Sequence, residues 1–215
     1  SDEMGWTDGA LVEPLAVSVH GLRMGRLKGN ETVAVIGSGT IGLTTIAAAR
    51  QLGAGKIYAT YRHPQQANMA KTLGADGVAN SEGNEFEEMV LNATDGRGAD
   101  LTVETVGGSG NETLRQSFEV TRRQGTIIIL GVFYGDQSVD WNKPVLKEQT
   151  IQGSICYGIV DGVHDFERSI EIFSNREFKL NKIVTHTYSL ENIQNGFQTA
   201  YDKTQGSIKV HINQE

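Results

Sequence analysis

The sequence has 215 residues, of which 38% are hydrophobic, and it carries a formal net charge of −7. This length allows one large domain, or one domain with part of another; the dispersed negative charge argues against nucleic-acid and anionic membrane partners, and no apolar run reaches the roughly 18 residues of a membrane span. The single cysteine excludes an internal disulfide, and the first ten residues lack signal-peptide features, so the composition predicts a cytoplasmic protein.

The predicted elements alternate between strand and helix once a first helix, expected over residues 10–27, has ended. Runs of β-branched and apolar residues predict six strands, at 32–37, 56–61, 77–80, 99–107, 126–132 and 150–156. Apolar residues at helical spacing predict four connecting helices, at 40–53, 63–74, 84–96 and 111–125. Parallel strands with right-handed helical crossovers accommodate this order. We therefore expect an α/β fold, a doubly wound six-stranded parallel sheet of the Rossmann type over residues 31–157.

The last part of the chain is predicted to fold as helix, strand, helix and strand over residues 162–212. Its two helices carry apolar stripes that need a surface to pack on: Phe166, Ile170 and Phe173 in the first, and Ile193, Phe197, Ala200 and Tyr201 in the second. Cys156, which follows the sixth strand, is expected to be a small buried apolar residue. His20 and His186 are expected to be structural, because a histidine without partners makes a poor metal site.

The strongest local signal is a glycine fingerprint, Gly37-x-Gly39-x-x-Gly42, directly after the first strand and at the start of the next helix. The first glycine permits the tight turn, the second lets a pyrophosphate approach the backbone, and the third allows close packing of helix on strand. The helix N-terminus offers N–H groups to the phosphates. The sequence therefore predicts that Ser38, Thr40 and Ile41, with these glycines, bind a dinucleotide. A plain glycine turn and a methyltransferase are the weaker alternatives.

The chain resembles the zinc-containing branch of the medium-chain dehydrogenase/reductase family, whose members include alcohol and polyol dehydrogenases. The resemblance extends over nearly the whole chain, in GALVEPLAVSVHG, VAVIGSGTIGL, AKTLGAD, GRGADLTVETVG, GTIIILGV, IQGSI and IVTHTYSLENIQNGFQ. It implies a sheet order of 3-2-1-4-5-6 and reversible hydride transfer between an alcohol and a nicotinamide cofactor. It also implies a homodimer, by edge-to-edge pairing of cofactor domains.

Family members also have an N-terminal catalytic domain with the zinc ligands, which has no counterpart in these 215 residues. The resemblance therefore implies that the chain is the C-terminal portion of such an enzyme: residues 1–30 a linker helix and remnant of the catalytic domain, 31–157 the cofactor domain, and 158–215 a segment returning to the catalytic domain. Glu13 falls where polyol-dehydrogenase-like members place a glutamate beside zinc. Its alternative interpretation is a helix-start glutamate, with Pro14 in the first turn.

Ligands of open α/β sheets bind at the carboxyl ends of the strands, which identifies further cofactor candidates. Thr105, Val106 and Gly107 lie at the carboxyl end of the fourth predicted strand and are expected near the adenosine. The nicotinamide is expected near residues at the carboxyl ends of the last two predicted strands: Leu130, Gly131, Val132, Ser154 and Ile155.

The second strand ends in Tyr61, Arg62 and His63, where NAD-preferring members have an acid that binds the ribose hydroxyls. A missing acid removes repulsion against a 2′-phosphate, and an arginine supplies a bidentate cationic partner. Tyr61 is placed to stack on the adenine and His63 to add a second contact. We therefore expect a preference for NADP(H), the alternative being NAD or dual use.

These observations together predict an NADP(H)-preferring alcohol, polyol or sugar-alcohol dehydrogenase, with zinc present only in a full-length protein. We expect the isolated chain to bind cofactor without turnover. The alternatives are a zinc-independent reductase of the same family and a non-catalytic dinucleotide-binding module.

Overall fold

A parallel six-stranded sheet forms the centre of the computed structural model, which describes residues 4–175 and 179–214. Its strands follow the spatial order β3-β2-β1-β4-β5-β6. Their bounds are β1 Thr32–Ile36, β2 Lys56–Tyr61, β3 Gly77–Asn80, β4 Ala99–Glu104, β5 Thr121–Ile129 and β6 Thr150–Gly153. The fold class and the strand order expected from the sequence are thus confirmed.

Helices lie on both faces of the sheet. The helices up to β6 are α1 Trp6–Met24, α2 Thr40–Gln51, α3 Pro64–Thr72, α4 Glu85–Ala93, α5 Glu112–Val120 and α6 Asn142–Leu146. One core contains apolar residues of α1, α2 and α3 on one face of the sheet, and a second contains Phe86 and Val90 of α4. A third contains Leu114 and Phe118 of α5. Glycines in the left-handed region, Gly53 and Gly74, follow α2 and α3 as expected for helix C-termini.

The prediction for residues 121–125 was wrong. The helix expected over 111–125 ends at Val120, and β5 begins at Thr121, whose backbone is extended. Thr121 pairs with Ala99 and Thr126 with Leu101, so the intervening residues bulge out of the ladder. The left-handed φ of +55° at Gln124 accompanies this bulge. The polar TRRQ run contains no apolar residue that would have distinguished a bulge from a helical turn.

After β6 the chain forms a short hairpin and a second, smaller α/β segment. The elements are β7 Ile159–Val160, β8 Val163–His164, α7 Asp165–Phe173, β9 Val184–Ser189, α8 Ile193–Tyr201 and β10 Lys209–Asn213, with 3-10 turns at Leu180–Ile183, Leu190–Asn192 and Lys203–Gln205. The helix-strand-helix-strand order expected here is confirmed. Strands β9 and β10 pair in parallel, outside the main sheet.

In this part of the chain one apolar stripe is exposed, and one expectation about burial was wrong. The stripe on α8 is not covered, since Phe197 is 71% and Tyr201 92% exposed; the helix packs instead through Gly196 and Thr199. Cys156 is exposed, not buried, because β6 already ends at Gly153 and residue 156 lies in the loop beyond it.

A buried carboxylate attaches α7 to α1. Asp165 is fully buried; its Oδ2 lies 2.7 Å from His20 Nδ1 and accepts a 2.9 Å hydrogen bond from the Gly158 N–H, while its Oδ1 accepts one of 2.6 Å from Arg23. These contacts give His20 a structural role, as expected. His186 lies in β9, with Nδ1 2.9 Å from the Thr185 hydroxyl.

A second carboxylate, that of Asp76, fastens the loop before β3 to the rest of the sheet. It accepts a 2.9 Å hydrogen bond from the Ile57 N–H and pairs with Arg50 at 2.5 Å and Lys56 at 3.1 Å. Burial raises the pKa of Asp76, but these hydrogen bonds and the charge of Arg50 outweigh it and leave the pKa below its ordinary value. No helix within residues 4–175 and 179–214 is long and apolar enough to cross a membrane.

Candidate functional site

The glycine fingerprint lies where β1 passes into α2, at the point where the strand order of the sheet reverses. Gly37 has a φ of +100°, and a Cβ there would lie 2.6 Å from the Val106 side chain. A Cβ on Gly42 would lie 1.9 Å from the Gly37 carbonyl oxygen, so this position admits no side chain. A Cβ on Gly39, by contrast, would meet no described atom within 4 Å. As the fingerprint predicts, Gly37 permits the turn, Gly39 leaves space for a ligand to approach the backbone, and Gly42 allows close packing of the helix on the loop.

Hydrogen bonds fix this glycine loop to the ends of the two neighbouring strands. The Gly37 N–H donates to the Thr60 hydroxyl at 2.7 Å, and the Ser38 hydroxyl donates to the Thr60 carbonyl at 2.6 Å. On the other side, the Thr105 hydroxyl donates to the Ile36 carbonyl at 2.8 Å. These bonds hold the loop without a ligand, and the Ser38 hydroxyl already donates its proton to Thr60.

Helix α2 begins at this loop without a side-chain cap, its N-cap being Gly39. The first-turn N–H groups, which belong to Thr40, Ile41 and Gly42, have no partner within a helix. Together with the positive end of the helix dipole they form a site suited to a phosphate.

An open cleft of about 1240 Å³ runs from the glycine loop towards the ends of β2 and β3. It brings together nine of the residues that the sequence nominates for cofactor binding: Gly37, Ser38, Gly39, Tyr61, Arg62, His63, Thr105, Val106 and Gly107. They come from three strand ends that are far apart in the chain. The volume is ample for the adenosine half of a dinucleotide.

Arg62 lies in this cleft immediately after β2 and is exposed. Its backbone N–H and that of His63 both donate to the Gln66 side chain at 3.1 Å, which fixes the turn into α3. Among the described residues no carboxylate lies within 4 Å of the guanidinium. An unpaired guanidinium is available for an anionic ligand.

Acidic side chains line the opposite part of the same cleft, on α4, α5 and the loops before them. Three of them are exposed, Glu82, Glu88 and Glu112. Two others are engaged: Glu87 accepts a hydrogen bond from Gln116 at 3.0 Å, and Glu119 pairs with Lys143. Helix α5 contributes a cation to the cleft as well, Arg115, whereas Arg62 lies after β2.

The buried carboxylate of Glu104 lies where the adenosine candidates after β4 meet the nicotinamide candidates after β5. Its Oε1 accepts hydrogen bonds from the Val106 and Gly107 N–H groups at 2.9 and 3.0 Å, and its backbone carbonyl accepts from Leu130 and Gly131. The Gly108 N–H donates to Val132 at 2.9 Å. The structure therefore joins the loop after β4 to the loop after β5.

The remaining nicotinamide candidates lie beyond the cleft. Val132 is 63% and Ile155 79% exposed, whereas Leu130 is half-buried, close to Gly21 of α1. The Ser154 N–H donates to the Ile129 carbonyl at 2.9 Å, which continues the β5–β6 pairing by one residue. Val132 and Ile155 are therefore the exposed members of this group.

Glu13 does not line the cleft. It is exposed in the middle of α1, and because that helix begins at Trp6, Pro14 lies in the helix interior and not in a first turn. The alternative interpretation of Glu13 as a helix-start residue is thus wrong. Within the described ranges no group of three or more histidine, cysteine, aspartate or glutamate side chains could hold a metal ion. The described residues therefore do not by themselves fit a zinc site.

Three residues of the site were not identified from the sequence. Thr60 and Glu104 position the loops, and Lys203 lines the cleft from the C-terminal segment. A carboxylate at the carboxyl end of a largely buried strand was the available signal for Glu104. No local sequence signal pointed to Lys203, because it is 141 residues away from Arg62 in the chain.

Known proteins are similar to this chain over nearly its whole length. Residues 40–175 match the family described as zinc-binding dehydrogenase. The (R,R)-butanediol dehydrogenase of Bacillus subtilis is 32% identical over 214 residues, covering 99% of this chain and 60% of the relative. The zinc-type alcohol dehydrogenase-like protein YdjJ of Escherichia coli is 31% identical over 208 residues, covering 97% of this chain and 58% of the relative.

A solved structure of a putative zinc-binding dehydrogenase from Sinorhizobium meliloti, bound to NADP, has the same fold. It aligns with a TM-score of 0.80 at 25% identity, over 96% of this chain and 59% of the other. The chain thus spans about 60% of the length of the relatives that it matches.

Proposed function

The chain belongs to the zinc-binding dehydrogenase family, and on that premise we propose that it is the cofactor-binding part of an NADP(H)-preferring oxidoreductase. The reaction would be hydride transfer between the nicotinamide and an alcohol, polyol or sugar-alcohol. The observation that carries the cofactor proposal is Arg62, an unpaired guanidinium that lines the cleft of the glycine fingerprint where an acid would favour NAD.

In this proposal, different residues of the cleft bind different parts of the dinucleotide. The pyrophosphate would lie over Gly39 and the start of α2, where an added Cβ meets open space. The adenine would stack on Tyr61, and the 2′-phosphate would accept hydrogen bonds from Arg62 and His63. The loop after β4 would lie near the adenosine, and the loop after β5, to which it is joined, would orient the nicotinamide ring, whose C4 carries the hydride when the cofactor is bound.

Substrate and metal are inferred from relatives only. The names of two relatives, a butanediol dehydrogenase and a sorbitol dehydrogenase of Bacillus subtilis, support an alcohol or polyol as substrate. Zinc assistance would need ligands supplied from outside these 215 residues, with Glu13 beside the metal. The division of the chain into 1–30, 31–157 and 158–215, a homodimer and a cytoplasmic location are part of the same proposal.

Direct binding tests the cofactor proposal. Binding of NADPH and NADH would be measured by fluorescence titration for the wild-type chain, for Arg62→Ala, and for Arg168→Ala, an exposed arginine on α7, as control. We expect NADPH to bind at least tenfold more tightly than NADH, and Arg62→Ala to remove most of that difference, because it deletes a charge-assisted bond of about 1.5–3 kcal/mol. Tighter binding of NADH, unchanged in Arg62→Ala, would refute the proposal.

A further inference from the structure

We propose that Lys203, presented by the C-terminal 3-10 turn, is a second cationic partner for the 2′-phosphate and helps Arg62 to select NADP(H). This inference rests on the proposed function and assigns it a further specificity-determining residue. It also gives the segment after β6 a direct part in cofactor choice.

The position of the turn Lys203–Gln205 is the first argument. Lys203 lines the same cleft as Tyr61, Arg62 and His63. The Gln65 side chain, in the first turn of α3, donates a 2.8 Å hydrogen bond to the Lys203 carbonyl. This bond fixes the backbone of residue 203 beside a helix that begins two residues after Arg62.

The turn is also held in shape independently of any ligand. The Asp202 carboxylate accepts hydrogen bonds from the Thr204 N–H at 3.0 Å and the Thr204 hydroxyl at 2.6 Å. A left-handed Gly206 ends the turn, and the Ile208 N–H donates to the Thr185 hydroxyl at 3.0 Å, which attaches the chain to the start of β9. Asp202 is thus engaged within its own turn and does not form an ion pair with Lys203.

The charge of Lys203 is the second argument. The residue is half-buried, and burial lowers the pKa of its ammonium group. Lys147 experiences the same burial effect, but its Nζ donates to three backbone carbonyls. Among the described residues, the Lys203 ammonium has neither such acceptors nor a carboxylate within 4 Å.

A partly desolvated cation without a counter-ion is unfavourable, and an anionic ligand in the same cleft would compensate for it. The phosphate nearest to the end of β2 in a bound NADP(H) would be the 2′-phosphate. An ammonium and a guanidinium together would then bind it from the C-terminal turn and from the end of β2.

The test compares ligands that differ only in the 2′-phosphate. Binding of adenosine 2′,5′-bisphosphate and of 5′-AMP to the 215-residue chain would be measured by calorimetry, with NADPH and NADH as a second pair. The variants are Lys203→Gln, Lys203→Arg and Arg62→Gln. Lys71→Gln is the matched control, an exposed lysine in the last turn of α3 that does not line the cleft.

We expect Lys203→Gln to weaken the bisphosphate and NADPH by about fivefold to tenfold, to leave 5′-AMP and NADH unchanged, and to be rescued by Lys203→Arg. Equal affinities in Lys203→Gln and Lys71→Gln, with Arg62→Gln still impaired, would overturn this inference alone. A wild-type chain that binds NADH as tightly as NADPH would overturn both the inference and the cofactor proposal.

Discussion

Alanine at two glycines of the fingerprint should have different effects. We expect Gly42→Ala to destabilise the fold and Gly39→Ala to weaken cofactor binding. In Gly42→Ala the new methyl group would lie 1.9 Å from the Gly37 carbonyl oxygen and 2.7 Å from its carbon, and both atoms belong to the backbone. Helix α2 must move away from β1 to admit it. Overpacking of this kind costs about 1–3 kcal/mol, and we expect the upper end because no flexible side chain can yield.

In Gly39→Ala the methyl group meets no described atom within 4 Å, and the φ of −74° suits any residue. The variant loses a glycine that is favoured at the N-cap, which destabilises the folded chain. Alanine also lowers the entropy of the unfolded chain, which stabilises the fold, so the change in unfolding free energy should stay within about 1 kcal/mol. The methyl group would, however, occupy the space through which a pyrophosphate approaches the backbone.

Thermal melting and NADPH titration of both variants test this reasoning. A loss of about 3 kcal/mol in Gly42→Ala should lower the melting temperature by about 6–12 °C. Gly39→Ala should melt like the wild type and bind NADPH at least tenfold more weakly. The reasoning fails if Gly42→Ala melts like the wild type, or if Gly39→Ala retains full affinity.

Two further predictions concern carboxylates outside the cleft. Asp165→Ala should lower the unfolding free energy by roughly 3–5 kcal/mol in urea titrations, because it leaves Arg23 partly buried without its partner; the exposed pair of Glu171 is the control, and Glu171→Ala should cost less than about 1 kcal/mol. An equal loss in both variants would contradict this account. Asp76→Asn should destabilise the chain at pH 7 relative to Asp95→Asn, an exposed control. Because the pKa of Asp76 is lowered in the folded state, its stabilisation is complete above the unfolded value of 3.8 and is lost as the pH falls through the lower folded value, so the difference should shrink below pH 3.8. A difference as large at about pH 2.5 as at pH 7 would show that the carboxylate charge is not the cause.

The first four strands were predictable because each is a short, mostly apolar run that follows a helix ended by a glycine. The bulge at 121–125 was not, since strand register depends on the partner strand and not on the polar residues themselves. The exposed stripe of α8 is a second feature that depends on neighbouring elements. An apolar stripe predicts a helix, but which face becomes buried depends on the elements around it, and here Gly196 faces the neighbouring strands.

For the site, too, local features could be predicted and long-range contacts could not. Gly37, Gly39 and Gly42 are local in sequence and each has a conformational reason, so their arrangement could be inferred from the residue spacing alone. The contribution of Lys203 depends on a single hydrogen bond between Gln65 and a turn 138 residues later in the chain. No local pattern reports such a contact.

A crystal structure of the chain with NADP⁺ would test the central claim most directly. The account predicts the pyrophosphate over Gly39 at the start of α2, and the 2′-phosphate within hydrogen-bonding distance of Arg62. A dinucleotide bound outside this cleft, or one whose 2′-phosphate points away from Arg62 into solvent, would contradict it.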